Sequence, residues 1–213
     1  MDEPVDYTKK KNIRIICEGA EEKLYIDKLK EIGAFHAIYT VAPLDAKGNT
    51  NISSYFQDEY QRGKWDLVLV FCDTEKHSKK NKAKVITDLK DYITGLLGTN
   101  ISDKLIIFAN PVTLLIVLSH FSKVSSLKVS KTSNAQIVED LTGVKNYKAK
   151  EEQIKKIMKK INKTNYEIMK ENIKDNSTDE YTRLATNFLY FSEKLSNPDV
   201  SWIEEIKDIL KNV

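Results

Sequence analysis

The chain has 213 residues, 41% of them hydrophobic, which is enough to bury the core of one domain or of one domain with a helical extension, and which excludes disorder for most of it. Its 34 Lys and Arg against 31 Asp and Glu leave a net charge of +3, so overall charge does not by itself demand a nucleic-acid partner. The polar first eleven residues hold no apolar leader, and no later apolar run nears the roughly 18 residues of a membrane span, so the expectation is a cytoplasmic protein without membrane association.

Residues 12–17 (NIRIIC) form a compact β-branched run that predicts a first strand, and residues 20–32 carry Leu24, Ile26, Leu29 and Ile32 at helical spacing. A second strand is expected over residues 37–41, a loop over 43–50 and a short helix over 52–61. Residues 65–72 (WDLVLVFC) are the strongest strand candidate, because an uninterrupted apolar run of this length suits a parallel strand covered on both faces. A helix over 82–97 and a fourth strand over 104–109 (KLIIFA) follow, and Pro111 is placed to open an apolar helix reaching Phe121. Strand and helix thus alternate, predicting an α/β fold with a mainly parallel, doubly wound, Rossmann-like sheet flanked by helices. Beyond Lys123, residues 134–141, 150–170, 178–195 and 201–210 all read as helices, with no strand, giving a C-terminal helical extension. The organisation expected is a tail over residues 1–11, an α/β domain over 12–122 and a helical region over 123–213. Ile154, Ile157, Met158 and Ile161 mark one face of a Lys-rich helix whose lysines read as solvated surface. Cys17 and Cys72 form neither a Cys-x-x-Cys pair nor a disulfide framework and are expected as buried free thiols.

In a doubly wound sheet, ligands gather at the C-terminal ends of the strands, and acids stand there. The first strand runs into Glu18-Gly19 and the third into Asp73-Thr74-Glu75. Carboxylates converging from two strands repel one another and have raised pKa values, and a hard divalent cation relieves this. The plainer alternative has Glu18 favouring the start of the first helix and Asp73 and Glu75 opening a polar loop.

The segment Ile15-Ile16-Cys17-Glu18-Gly19-Ala20-Glu21-Glu22 resembles the opening motif of Toprim domains, a hydrophobic strand ending in Glu-Gly, and Phe71-Cys72-Asp73-Thr74-Glu75 resembles their second motif, usually Asp-x-Asp. Ala109-Asn110-Pro111 followed by His120-Phe121 keeps the outline of the RloB-like and OLD-nuclease-like group. The likeness covers residues 12–121 and implies a Toprim-like fold and a metal-dependent nuclease or related phosphotransfer enzyme, set in phage defence or a mobile element. It implies Mg²⁺ or Mn²⁺ as cofactor, DNA or RNA as substrate, and an ATPase or other protein as a further partner. Glu18 would act as general acid or base or as a metal-associated carboxylate, with Gly19 allowing the turn beneath it. Asp73 and Glu75 would bind the metal. Glu22 would add a supporting contact, its simpler role being solvent exposure, and Asn110 would order the site or cap a turn. Two departures stand out: Glu75 replaces the usual Asp, and the acid that RloB-like proteins often carry after Asn-Pro is absent from Val112-Thr113-Leu114-Leu115-Ile116. The second allows the alternative of a catalytically weak Toprim-like module that binds nucleic acid or a partner protein.

Lys76, Lys79 and Lys80, with His77, Lys82 and Lys84 around them, follow the acids and would guide a phosphate backbone, or simply form an exposed basic loop. His120, in an apolar helix, reads as a hydrogen-bonded core residue, and Phe188 and Phe191 at helical spacing read as core. No Gly-x-x-x-x-Gly-Lys-Ser/Thr, Gly-x-Ser-x-Gly, His-Glu-x-x-His or Gly-x-Gly-x-x-Gly motif occurs, so the chain is not expected to be its own ATPase, a serine hydrolase, a zinc protease or a dinucleotide enzyme.

Overall fold

A computed structural model describes residues 9–74, 84–178 and 184–211. The chain opens with β1 (Lys11–Cys17), α1 (Ala20–Glu31), β2 (Tyr39–Asp45), α2 (Ile52–Gln61), β3 (Leu67–Asp73), α3 (Lys84–Leu97), β4 (Ile106–Asn110) and α4 (Leu114–Ser119). It continues with α5 (Ala135–Thr142), α6 (Glu151–Met158), α7 (Lys163–Asn172), β5 (Ala185–Thr186), α8 (Phe188–Ser196) and α9 (Ser201–Lys211).

The strands form one sheet in the order β2-β1-β3-β4-β5, parallel except for β5. From β1 the chain steps to β2 on one side and then crosses back to β3 on the other, so with right-handed crossovers α1 lies on one face and α2 on the opposite face. The reversal makes the β1/β3 boundary the topological switch point, where the diverging connections leave a crevice beyond the strand ends. Every residue of β3 and β4 is buried, as strands covered on both faces require. No helix among the described residues is long and apolar enough to cross a membrane.

Several expectations need correction. The second strand begins at Tyr39 and runs to Asp45, because parallel pairing with β1 from Lys11 to Cys17 carries Pro43 and Leu44 into the ladder. Pro111 does not open the fourth helix: the Asn110-Pro111 peptide bond is cis and α4 begins at Leu114. The helix expected over 150–170 is two, because Asn162 starts a new one. Its Oδ1 accepts from the Asn165 amide at 3.0 Å while Asn165 Oδ1 accepts from the Asn162 amide at 2.8 Å. Nor is the C-terminal half free of strand. Of the helix expected over 178–195, Ala185–Thr186 is β5, paired antiparallel with β4, and helix starts only at Phe188. Asn187 extends this short strand with its side chain, accepting from the Phe108 amide at 2.9 Å and donating to the Ile106 carbonyl at 2.8 Å, so the buried edge of β4 is satisfied.

One contiguous hydrophobic core joins the sheet to the C-terminal helices, and Phe188, Phe191, Ile154, Ile157, Met158 and Ile161 all belong to it. Cys17 and Cys72 are buried and free, and burial pushes both thiols well above their ordinary pKa. His120 is a core residue, bonded to the Tyr25 hydroxyl at 3.0 Å and to Asn165 Oδ1 at 3.3 Å. Burial lowers its pKa to about 4, which leaves the imidazole neutral at physiological pH.

Candidate functional site

The last paired residues of β1 and β3 are Cys17 opposite Phe71, and the Glu18 amide prolongs the ladder by donating to the Phe71 carbonyl at 2.9 Å. Glu18 and Asp73 therefore emerge side by side at the switch point. Glu18 Oε2 accepts from the Asp73 amide at 2.9 Å, which binds the two strand ends to one another. Gly19 is the N-cap of α1, and Glu22 reaches back to accept from the Gly19 amide at 3.0 Å. That capping contact turns Glu22 inward, so the expectation of a solvent-exposed Glu22 is corrected: it is 1% exposed. Glu21, also in the first turn of α1, is buried beside it.

Asp73 is held from three directions. Its Oδ1 accepts from the Thr113 amide at 2.5 Å and the Thr113 hydroxyl at 2.7 Å, and its Oδ2 faces the Lys131 ammonium at 3.1 Å. Thr113 stands just after Asn110-Pro111 and supplies both hydrogen-bond donors to Asp73 Oδ1. The Asn110 carboxamide oxygen accepts from the Thr74 hydroxyl, fixing the ends of β3 and β4 together.

Lys131, from the single 3₁₀ turn before α5, enters among the acids. It lies 2.7 Å from Glu21 Oε2, 3.1 Å from Asp73 Oδ2 and 3.8 Å from Glu22 Oε1. Tyr147 closes the far side, its hydroxyl donating to Glu21 Oε1 at 3.4 Å. Four carboxylates (Glu18, Glu21, Glu22 and Asp73) thus share one ammonium, and Glu22 Oε1 is buried without a hydrogen-bond partner. The electrostatics follow from that imbalance. Burial, then Asp73 and Glu22, push Glu18 up to about 8. Burial also raises Glu21, Glu22 and Asp73, with Lys131 pulling each back only in part. The same acids outweigh burial at Lys131 and raise its pKa, so it stays an ammonium.

No family model matches the chain, and neither does any curated protein or solved structure.

Of the residues singled out in the sequence, Glu18, Gly19, Glu22, Asp73 and Asn110 come together here, whereas Glu75, Lys76, His77, Lys79, Lys80 and Lys82 lie outside the described residues. Lys84 is exposed on α3 and paired with Asp88. Glu21, Thr113, Lys131 and Tyr147 complete the site and were not foreseen. The adjacent acids of Glu21-Glu22 in a short amphipathic helix were a usable signal for the first. Lys131 and Tyr147 come from distant segments and carry none.

The donor set suits a hard divalent cation: it is all oxygen, short of positive charge, and includes a buried carboxylate oxygen without a hydrogen-bond donor. Among the described residues, however, no three carboxylate, imidazole or thiol groups converge on one point fit for a metal ion, since the acids are spread around Lys131. Glu18 and Asp73, joined across the strand ends, would be the residues to hold a cation at the crevice.

Proposed function

We propose that the chain is a metal-dependent nuclease or related phosphotransfer enzyme acting on nucleic-acid phosphodiesters, with its Toprim-like site at Glu18 and Asp73. The observation that carries this reading is the surplus of carboxylates over cations at the β1/β3 switch point, where an α/β sheet binds its ligands. Mg²⁺ or Mn²⁺, when bound, would polarise a phosphodiester and offset charge developing on its oxygens.

The residues divide the remaining work. Asp73, locked by Thr113, presents Oδ2 in a fixed orientation. With no cation present, burial and the neighbouring Asp73 and Glu22 raise Glu18 to about 8, and because its Oε2 accepts from the backbone, Oε1 is the oxygen left to carry a proton or to meet a cation. A carboxylic acid poised near neutral pH can donate to a leaving alkoxide oxygen, which is the general-acid role. Lys131 keeps Glu21 and Asp73 in place and adds a fixed positive charge beside the reacting phosphate. Supercoiled DNA, single-stranded DNA and RNA incubated with Mg²⁺ or Mn²⁺ test this. Cleavage is expected in the unmodified protein and a loss of at least about a hundredfold in folded Glu18→Gln and Asp73→Ala variants.

A second reading is a catalytically weak module that binds nucleic acid or a partner protein. The seat of Lys131 among the acids favours it, because an internal ammonium partly supplies the charge a metal would bring. On that reading no substrate is cut with either metal, and nucleic-acid or protein binding survives Asp73→Ala.

A further inference from the structure

A second charged feature lies in the C-terminal half, between the end of α5 and α6, and has the opposite sign. Gly143 ends α5 in the left-handed conformation, at φ 68°, and turns the chain into the segment leading to α6. Gln153 on α6 staples that segment down: its Nε2 donates to the carbonyls of Lys145 at 3.2 Å and Asn146 at 3.0 Å, and its Oε1 accepts from the Lys148 amide at 2.7 Å. The result is a concavity of about 510 Å³ into which Lys145, Lys156, Lys159 and Lys160 converge. No Asp or Glu lines it.

Among the described residues none of these four lysines has a carboxylate within ion-pairing distance, whereas neighbouring Lys155, Lys170 and Lys174 are each answered by a Glu on their own helix or beside it. Lysines near the C-terminal end of a helix can serve only to offset its negative pole. That explanation covers Lys156, Lys159 and Lys160 but not Lys145, which arrives from a different segment that Gln153 holds in place. Lys160 leans toward Gly143, its Nζ 3.7 Å from where a β-carbon would stand, so the ammonium closes over the turn. A concavity lined by four cations without answering carboxylates is complementary to closely spaced anions, and the phosphates of a nucleic-acid strand have that spacing.

The concavity is coupled to the acidic site through short covalent and packing links. Two residues beyond Lys145, Tyr147 is buried with its hydroxyl on Glu21, and α6 packs against α1, whose first turn carries Glu21 and Glu22. The acids at the switch point repel a phosphate chain, so a strand must be held by cations nearby. We propose that this four-lysine basin binds the phosphate backbone of the nucleic acid whose phosphodiester enters the Glu18 and Asp73 site. This rests on the nuclease reading for the identity of the ligand, and names the surface that grips it.

The test is fluorescence anisotropy of labelled single-stranded DNA and RNA oligonucleotides, without divalent metal, across a salt series. The full chain is compared with a K156Q/K159Q/K160Q variant and with K155Q, whose lysine is already paired. All these lysines are exposed, and circular dichroism and thermal melting confirm that each variant keeps its fold. The triple variant is expected to bind at least about tenfold more weakly, and its plot of log affinity against log salt should be flatter by roughly two. K155Q should match the unmodified protein. Equal affinity and slope in the triple variant, in a protein that still binds and cleaves nucleic acid, would overturn the basin and leave the nuclease reading standing. If the unmodified chain neither binds nor cleaves any nucleic acid, the nuclease reading falls and the basin's assignment falls with it.

Discussion

Two sites of buried carboxylate in this molecule contrast sharply. Glu59 on α2 is 3% exposed and fully answered: its Oε2 accepts from Arg14 Nε and from the Trp65 indole, each at 2.7 Å, and its Oε1 pairs with Arg62. Arg14 in turn lies 4.0 Å from the centre of the Trp65 ring. Burial alone would raise the Glu59 pKa, but the bonds from Arg14 and Trp65 outweigh it and hold the carboxyl below its ordinary value. At the switch point burial wins instead, because four acids share Lys131, and all four are raised. Balanced charge leaves Glu59 supporting the fold, whereas on the nuclease reading the unbalanced acids are kept for chemistry at some cost in stability.

The sharpest way to break this contrast is to remove Lys131. Lys131→Met leaves Glu21, Glu22 and Asp73 buried without their cation, and should cost about 3–5 kcal/mol at pH 8 in urea denaturation. Raised carboxylate pKa values mean the folded state takes up protons as pH falls, so the loss should shrink toward pH 5. Added Mg²⁺ should restore more stability to this variant than to the unmodified protein. An equal loss at both pH values would show that Lys131 acts by packing.

Glu59→Gln comes next, with an expected cost of roughly 2–4 kcal/mol at pH 7, since Arg14 loses its buried counter-charge. Because the folded pKa of Glu59 is lowered, its contribution is present above the ordinary Glu value and is lost as pH falls through the folded one. The unmodified protein and the variant should therefore converge in stability in acid. Cleavage per folded molecule should not change.

Glu18→Gln should have the smallest effect on stability and the opposite sign. With a folded pKa of about 8 against an ordinary value of 4.5, Glu18 binds its proton more tightly in the folded state, so its contribution declines as pH rises from about 4.5 to 8. Replacing it should stabilise the protein at pH 8 relative to pH 5 and flatten the stability profile between those limits. A destabilised variant at pH 8 would place Glu18 with Glu59 as a structural acid.

The parts of this arrangement differ in how far they could be read from the residues. The uninterrupted run ending at Asp73 announced a buried parallel strand, because a strand covered on both faces needs apolar residues at every position, and the β-branched run before Glu18 announced a second, less fully buried one. Their acids were legible as strand-end residues for the same reason. β5 was not, since two residues carry no period and Ala185–Thr186 owes its pairing to β4, some 75 positions away. The helix break at Asn162 was available in principle from its reciprocal cap with Asn165, but the apolar face running through Ile161 masked it. Lys131 was hidden by composition. In a chain with 34 Lys and Arg, the lysine that enters the acidic crevice is distinguished only by where the turn before α5 is packed. The same rich background concealed the basin, where convergence from α6 and the Gly143 turn, and the lack of answering acids, set four lysines apart.

The acids at the β1/β3 switch point are short of positive charge, and on the nuclease reading they take up a divalent cation there. Mn²⁺ titrated into the full chain and followed by electron paramagnetic resonance tests it most directly, with Asp73→Ala as the comparison. Loss of the free Mn²⁺ signal on addition of the unmodified protein, reversed by Mg²⁺ and abolished in the folded variant, is the result expected; no uptake, or equal uptake by both proteins, would contradict it.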